Sequence, residues 1–146
     1  MLLDSKLENI KVAQLSTFDV EGGSVLHAIK KDDIGYKGLG EVYFSLINPN
    51  AIKAWKLHKR MTLNLVVPLG KVRFVFCDSL TSGNYRVEDV GESNYVRLTV
   101  PPGIWFGFQG IATQPSLVTN IADLKHDPVE VERKAVSTFD YQWEKV

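Results

Sequence analysis

The 146-residue chain has a single cysteine, no surplus charge, only three histidines and no long apolar run. Cys77 on its own rules out an internal disulfide framework and fits a reducing compartment. The 17 basic and 17 acidic side chains cancel, so no global field draws the chain to nucleic acid or an anionic membrane. Any anionic ligand must be held by a local cluster. No stretch is long enough to span a bilayer. The amino-terminal "MLLDSKLENIKV" carries acidic residues and a lysine where a secretory signal needs an uninterrupted apolar run. These absences predict a cytoplasmic protein, and 45% apolar residues are enough to fill the core of one domain, residues 1–146, without disulfides or a structural metal.

Helical periodicity is also scarce. The best helical candidate is "DPVEVERKAV", where Asp127 can cap, Pro128 fits the first turn, and Glu130 and Glu132 suit the N-terminal end. Elsewhere the chain reads as strands: "GEVYFSLI", "TLNLVVPL", "KVRFVFCD", "NYVRLTVP" and "SLVTNIAD" are short, β-branched or aromatic, and bounded by turn residues. In "KVRFVF" Val72, Phe74 and Phe76 share one face. In "NYVRLTV" Val96, Leu98 and Val100 lie opposite Tyr95, Arg97 and Thr99. Turns at Asn48-Pro49-Asn50, Pro68-Leu69-Gly70 and Pro101-Pro102-Gly103 separate them. The expectation is an all-β sandwich, jelly roll or barrel with one short helix near the C-terminus.

The densest local charge lies in "AIKAWKLHKRMTLN", residues 51–64. If residues 53–58 are extended, Lys56 and His58 point to one face, and Trp55 and Leu57 to the other. A cation and an imidazole sharing a concave site could hold a phosphate, stabilise an enolate oxygen or move a proton. The neighbouring lysine should lower the imidazole pKa and keep it neutral. The plain alternative is a solvated edge in which Lys53, Lys56, Lys59 and Arg60 discourage strand-to-strand association.

The order "GEVYFSLINPNAIKAWKLHKRMTLNLVVPLGKVRFVFCD", then "VRLTVPPGIWFGFQG", then "NIADLKHDPVE" resembles the cupin family of dTDP-4-dehydrorhamnose 3,5-epimerases and related nucleotide-sugar enzymes. The resemblance implies a double-stranded β-helix (the cupin jelly roll), a homodimer, a sugar nucleotide in the barrel mouth, and no metal or redox cofactor. The family's strand motif R-G-x-H, whose histidine is the base, falls on Lys53, Ala54, Trp55 and Lys56, so lysine stands in the base position. The H-x-H-K of the related sugar 3,4-ketoisomerases falls on Lys56, Leu57, His58 and Lys59, keeping His58. The phosphate-binding arginine of the D-x-R-G element is replaced in "FDVEGG" by Glu21 or Gly22. The enolate-supporting lysine is missing from Thr62 to Asn64, and Thr119 stands where the tyrosine acid should be. The metal-cupin pattern H-x-H followed by P-x-G-x-x-H also fails, since Lys56 and Phe106 replace two ligands and a protonated lysine cannot ligate.

Two readings follow. In the first, the protein is a nucleotide-sugar epimerase or isomerase acting on a 4-keto-6-deoxy sugar of cell-surface polysaccharide synthesis. His58 is then the base, with Lys56 as oxyanion partner or as the base itself. Lys53, Arg60, Asn64 and Arg73 contact and orient substrate, and Trp105 stacks on a base or sugar. Tyr36, Tyr43, Tyr85 and Tyr95 are candidate acids. In the second, the chain is a cupin that has lost the chemistry and binds a sugar nucleotide or other anion without turnover.

Overall fold

Strict alternation along Lys71–Cys77 sends Val72, Phe74 and Phe76 to one face, and all three are fully buried there. A computed structural model of the chain describes residues 6–79 and 83–146; the first five residues of the amino-terminal stretch lie outside it. The described strands are β1 (Lys11–Gln14), β2 (Thr17–Val20), β3 (Gly23–Leu26), β4 (Glu41–Ile47), β5 (Ile52–His58) and β6 (Leu63–Leu69). They continue with β7 (Lys71–Cys77), β8 (Tyr85–Gly91), β9 (Val96–Val100), β10 (Trp105–Gly110), β11 (Ser116–Ala122) and β12 (Val131–Arg133). Two five-stranded sheets, ordered β1-β9-β6-β11-β4 and β12-β5-β10-β7-β8, are antiparallel throughout and face one another as a jelly roll. The hairpin β2–β3 stands apart.

Between the sheets, Leu63, Leu65, Leu98 and Val118 of the first pack against Val72, Phe74, Phe76 and Phe106 of the second. The far face of the second sheet is also covered. Trp55, Val75, Cys77 and Trp105 form a second apolar cluster closed by Phe139, Tyr141 and Trp143 of the carboxy-terminal segment. Trp55 fixes this cover, because its indole N–H donates to the Val136 carbonyl at 3.0 Å and its backbone exchanges hydrogen bonds with Lys134.

The short helix expected at "DPVEVERKAV" is a single turn. Asp127 does cap, its side chain accepting from the Val129 N–H, but the turn ends at Glu130 as a 3-10 helix. Val131–Arg133 instead pair with β5, opposite His58, Leu57 and Lys56. An unpaired strand edge and a β-branched residue outweigh a weak helical propensity.

One irregularity positions the site. Across β5 and β10 the register runs Phe106 to Lys56 and then Gly107 to Ala54, leaving Trp55 as the extra residue of a β-bulge. The bulge shifts the alternation, so Lys53 and Lys56 line the same cavity although three residues apart. Gly107 permits this approach: a Cβ there would lie 2.4 Å from that of Ala54. Gly107→Ala is therefore expected to destabilise the fold by about 1–3 kcal/mol, read as a lower urea midpoint with an unchanged slope.

Candidate active site

The barrel mouth lies between β4, β5, β11 and β12. It holds a cavity of about 490 Å³, joined through Tyr43, Lys56 and Arg133 to a second of about 310 Å³. One wall of the larger cavity is cationic, with Lys53, Lys56, Arg133 and Lys134. The facing wall presents Tyr43, Ser45 and Asn120 because alternation turns these residues of β4 and β11 inward. Leu63, Leu65, Val118, Phe106 and Phe108 make the apolar lining, and no carboxylate is among the lining residues. Such a cavity favours an anion attached to an apolar or ring-shaped body.

Lys56 is half-buried and lines both cavities, and among the described residues its ammonium has no hydrogen bond or ion pair. Burial lowers its pKa below the ordinary lysine value, and the charges of Arg133 and Lys53 lower it further. Lys53 reaches back at the rim, its Nζ donating to the Leu46 carbonyl at 3.0 Å.

His58 lies two residues along the same face. It is buried, stacks at 6.2 Å on the Phe106 ring, and its Nδ1 meets Glu130 Oε1 at 2.5 Å. The other Glu130 oxygen accepts the backbone N–H groups of Arg60 and Met61. Burial opposes the Glu130 charge, but these hydrogen bonds prevail and hold the carboxyl below its usual pKa. Burial acts on His58 in the opposite sense. Desolvation, helped by Lys56 and Arg133, outweighs the Glu130 carboxylate and lowers the imidazole pKa. The result is a neutral ring with Nδ1–H turned to Glu130, leaving Nε2 as a buried acceptor without a partner.

The structure thus places Lys53 and Lys56 on the larger cavity and Lys56 and His58 on the smaller, and leaves four expected substrate contacts elsewhere. Arg60 is exposed and paired with Asp127 at 2.9 Å. Asn64 lies on the outer face of its sheet, donating to the Gly35 carbonyl and accepting from Thr99. Arg73 makes a two-pronged pair with Asp89 on the outer face of the other sheet. Trp105 is in the outer cluster against Phe139, so it has no face free for a ligand. Asn64, Arg73 and Trp105 sit one step of strand alternation away from the cavity face, and Arg60 lies in the bend beyond the end of β5. Of the tyrosines, Tyr85 donates to Asp140 and Tyr95 to the His27 carbonyl, while Tyr43 lines the cavity. Glu130, Arg133 and Asn120 were not foreseen as site residues. The inward face of "GEVYFSLI" signals Tyr43, but nothing local marks "VER" as a strand beside β5. Phe106 and Lys56, the residues in place of two metal-cupin histidines, are direct cross-strand neighbours.

No family model matches the chain. A solved dTDP sugar isomerase from Desulfovibrio desulfuricans G20 aligns with a TM-score of 0.88 at 34% identity, over 97% of this chain and 95% of that one. The chain belongs to the dTDP-sugar isomerase family. The spore coat polysaccharide biosynthesis protein SpsL of Bacillus subtilis (strain 168) is 22% identical over 145 residues, 94% of this chain and 96% of that protein. The dTDP-4-dehydrorhamnose 3,5-epimerase of Sulfolobus tokodaii shares the fold, with a TM-score of 0.76 at 22% identity over 90% of this chain and 80% of that one. Within this dTDP-sugar isomerase fold the cupin architecture expected from the sequence is present.

Removing Glu130 strands a buried imidazole and two backbone N–H groups. Glu130→Ala is expected to cost at least about 3 kcal/mol in urea denaturation, about 1 kcal/mol or more for each donor left unsatisfied. Glu132→Ala, which removes a half-exposed partner of Lys59 at 3.5 Å, should change stability by less than about 1 kcal/mol.

Proposed function

We propose that this protein is a cytoplasmic, metal-independent isomerase or epimerase of a dTDP-linked 4-keto-6-deoxy sugar used in cell-surface polysaccharide synthesis. The observation that carries the reading is the neutral His58, with Nδ1–H on Glu130 and a free Nε2 beside Lys56. Nε2 takes the proton from the carbon next to the sugar ketone, and the electron pair of that C–H bond becomes the enolate. The ammonium of Lys56 meets the charge developing on oxygen, and the Glu130 carboxylate stabilises the imidazolium that forms. Return of a proton to the other face of that carbon completes an epimerisation; its return to the former ketone carbon, with the proton of the adjacent hydroxyl passing to the former ketone oxygen, completes an isomerisation. Lys53, Arg133 and Lys134 supply positive charge for the diphosphate along the same wall. A binding-only cupin gains nothing from an imidazole kept neutral next to its cations, since a protonated ring would hold an anion better.

Solvent-deuterium exchange into dTDP-4-keto-6-deoxyglucose, followed by NMR, tests this directly. His58→Asn should slow exchange by roughly 10²- to 10⁴-fold, and Lys56→Met should slow it as well. Unchanged exchange in both would overturn the assignment. The acidic limb of kcat/KM should lie below the ordinary imidazole pKa of about 6.5, with activity falling as pH drops through the His58 pKa and the ring loses its acceptor. Glu130→Gln should move that limb lower still, because it removes the one carboxylate that favours the imidazolium.

We further propose a homodimer. Strand β4 is a sheet edge whose outward side chains Val42, Phe44 and Leu46 are exposed, and the hairpin β2–β3 exposes Phe18, Val20, Val25 and Leu26. A two-stranded hairpin is marginal by itself, and docking it on the β4 edge of a second copy covers both apolar rows. Light scattering should give twice the chain mass of 16.4 kDa. Phe44→Asp should give the single-chain mass, and a monomeric wild type would refute the assembly.

A further inference from the structure

The polar wall facing the cations carries a feature that proton transfer does not use. Asn120 is 2% exposed and lines the larger cavity, and its Nδ2 donates to the Tyr43 hydroxyl oxygen at 3.1 Å. Its Oδ1 is buried and has no partner. The pairing of β4 with β11 places the two residues directly opposite one another, with Leu65 on the other side of Asn120. A buried amide oxygen left unpaired carries a desolvation penalty, and a ligand donor removes it. Because Tyr43 already accepts from Asn120, its own proton is free to be donated into the cavity.

Resting on the isomerase reading above, we infer that Asn120 and Tyr43 together recognise one hydroxyl of the sugar and so set substrate specificity. A hydroxyl closes a ring of three hydrogen bonds. Asn120 Nδ2–H donates to the Tyr43 oxygen, the Tyr43 O–H donates to the sugar oxygen, and the sugar O–H donates to Asn120 Oδ1. The ring closes equally with the amide turned the other way, every donor and acceptor being exchanged. A deoxy carbon leaves both groups without their ligand partner in either orientation. The pair therefore selects a hydroxylated position over its deoxy counterpart. Its neighbours Leu65, Val118 and Phe106 limit the water that could take the place of the missing group.

The test compares dTDP-4-keto-6-deoxyglucose with its 2-deoxy and 3-deoxy analogues, using kcat/KM for solvent exchange. The wild type should prefer the parent over one analogue by roughly 100-fold or more, as expected of a site built to pair a substrate hydroxyl. In Asn120→Leu and in Tyr43→Phe that preference should fall below about 10-fold. Asn120 is buried, so each variant's melting temperature is measured. Tyr43→Phe, at a residue 37% exposed, keeps the test open if Asn120→Leu does not fold. TDP affinity should be unchanged in Tyr43→Phe because the cationic wall is intact. A wild type that treats both analogues like the parent, or variants that keep the wild-type ratio, would overturn the assignment alone. Tight TDP binding with no exchange in any of the three sugars would overturn the isomerase reading, and this inference with it.

Discussion

A buried carboxylate must be satisfied on both oxygens or it unfolds its surroundings. Glu130, only 3% exposed, meets that demand with the His58 ring on one oxygen and the N–H groups of Arg60 and Met61 on the other. Its own carbonyl accepts from Lys59 at 2.7 Å. One residue thereby fixes the end of β5, the turn into β6 and the start of β12. The tautomer of His58 follows from that arrangement, and so does the presence of Arg133 at the cavity three residues later.

Charge balance over the whole chain conceals a local imbalance. Acidic residues near the mouth are engaged on the outside, Asp127 with Arg60 and Glu132 with Lys59. The inward cations Lys53, Lys56, Arg133 and Lys134 face no carboxylate in the larger cavity. Burying an ammonium among like charges costs stability, and the lowered pKa of Lys56 reflects its desolvation first and Arg133 and Lys53 second. An anionic ligand relieves the repulsion on binding, while desolvation, more than the neighbouring cations, keeps His58 neutral. Stability is lowered where function gains.

Strand alternation made most of the core legible: Val72, Phe74 and Phe76, and Val96, Leu98 and Val100, all face inward as their spacing requires. The same rule placed Lys56 and His58 on one face. It also sets Asn64, Arg73 and Trp105 on the faces opposite Leu63, Phe74 and Phe106, away from the cavity although their strands run beside it. It fails at Lys53, which enters the cavity only because of the bulge at Trp55. That bulge depends on Gly107, on a strand roughly fifty residues away, and on the carboxy-terminal segment clasping the indole. Such long-range contacts leave no periodic trace. The strand character of Val131–Arg133 was hidden for the same reason: its partner is β5, and its own residues look helical.

The replacement of the family's base position by Lys56 gains a physical sense from the strand itself. Residues i and i+2 share a face and lie about 6–7 Å apart along the chain. In the proposed mechanism, a base at position 58 in place of 56 shifts the proton acceptor along β12, from opposite Arg133 to opposite Val131. A substrate bound at an unchanged depth would then place its ketone nearer the vacated position. There, in the proposed mechanism, the unbranched stem of Lys56 would put a cation where the oxyanion forms. The base and the oxyanion partner can exchange places along one strand because a lysine has the reach and the charge for the second role, whereas a shorter neutral side chain at position 56 would leave the enolate uncompensated. On this view the altered motif redistributes the chemistry, and Glu130 is what makes the new base position usable.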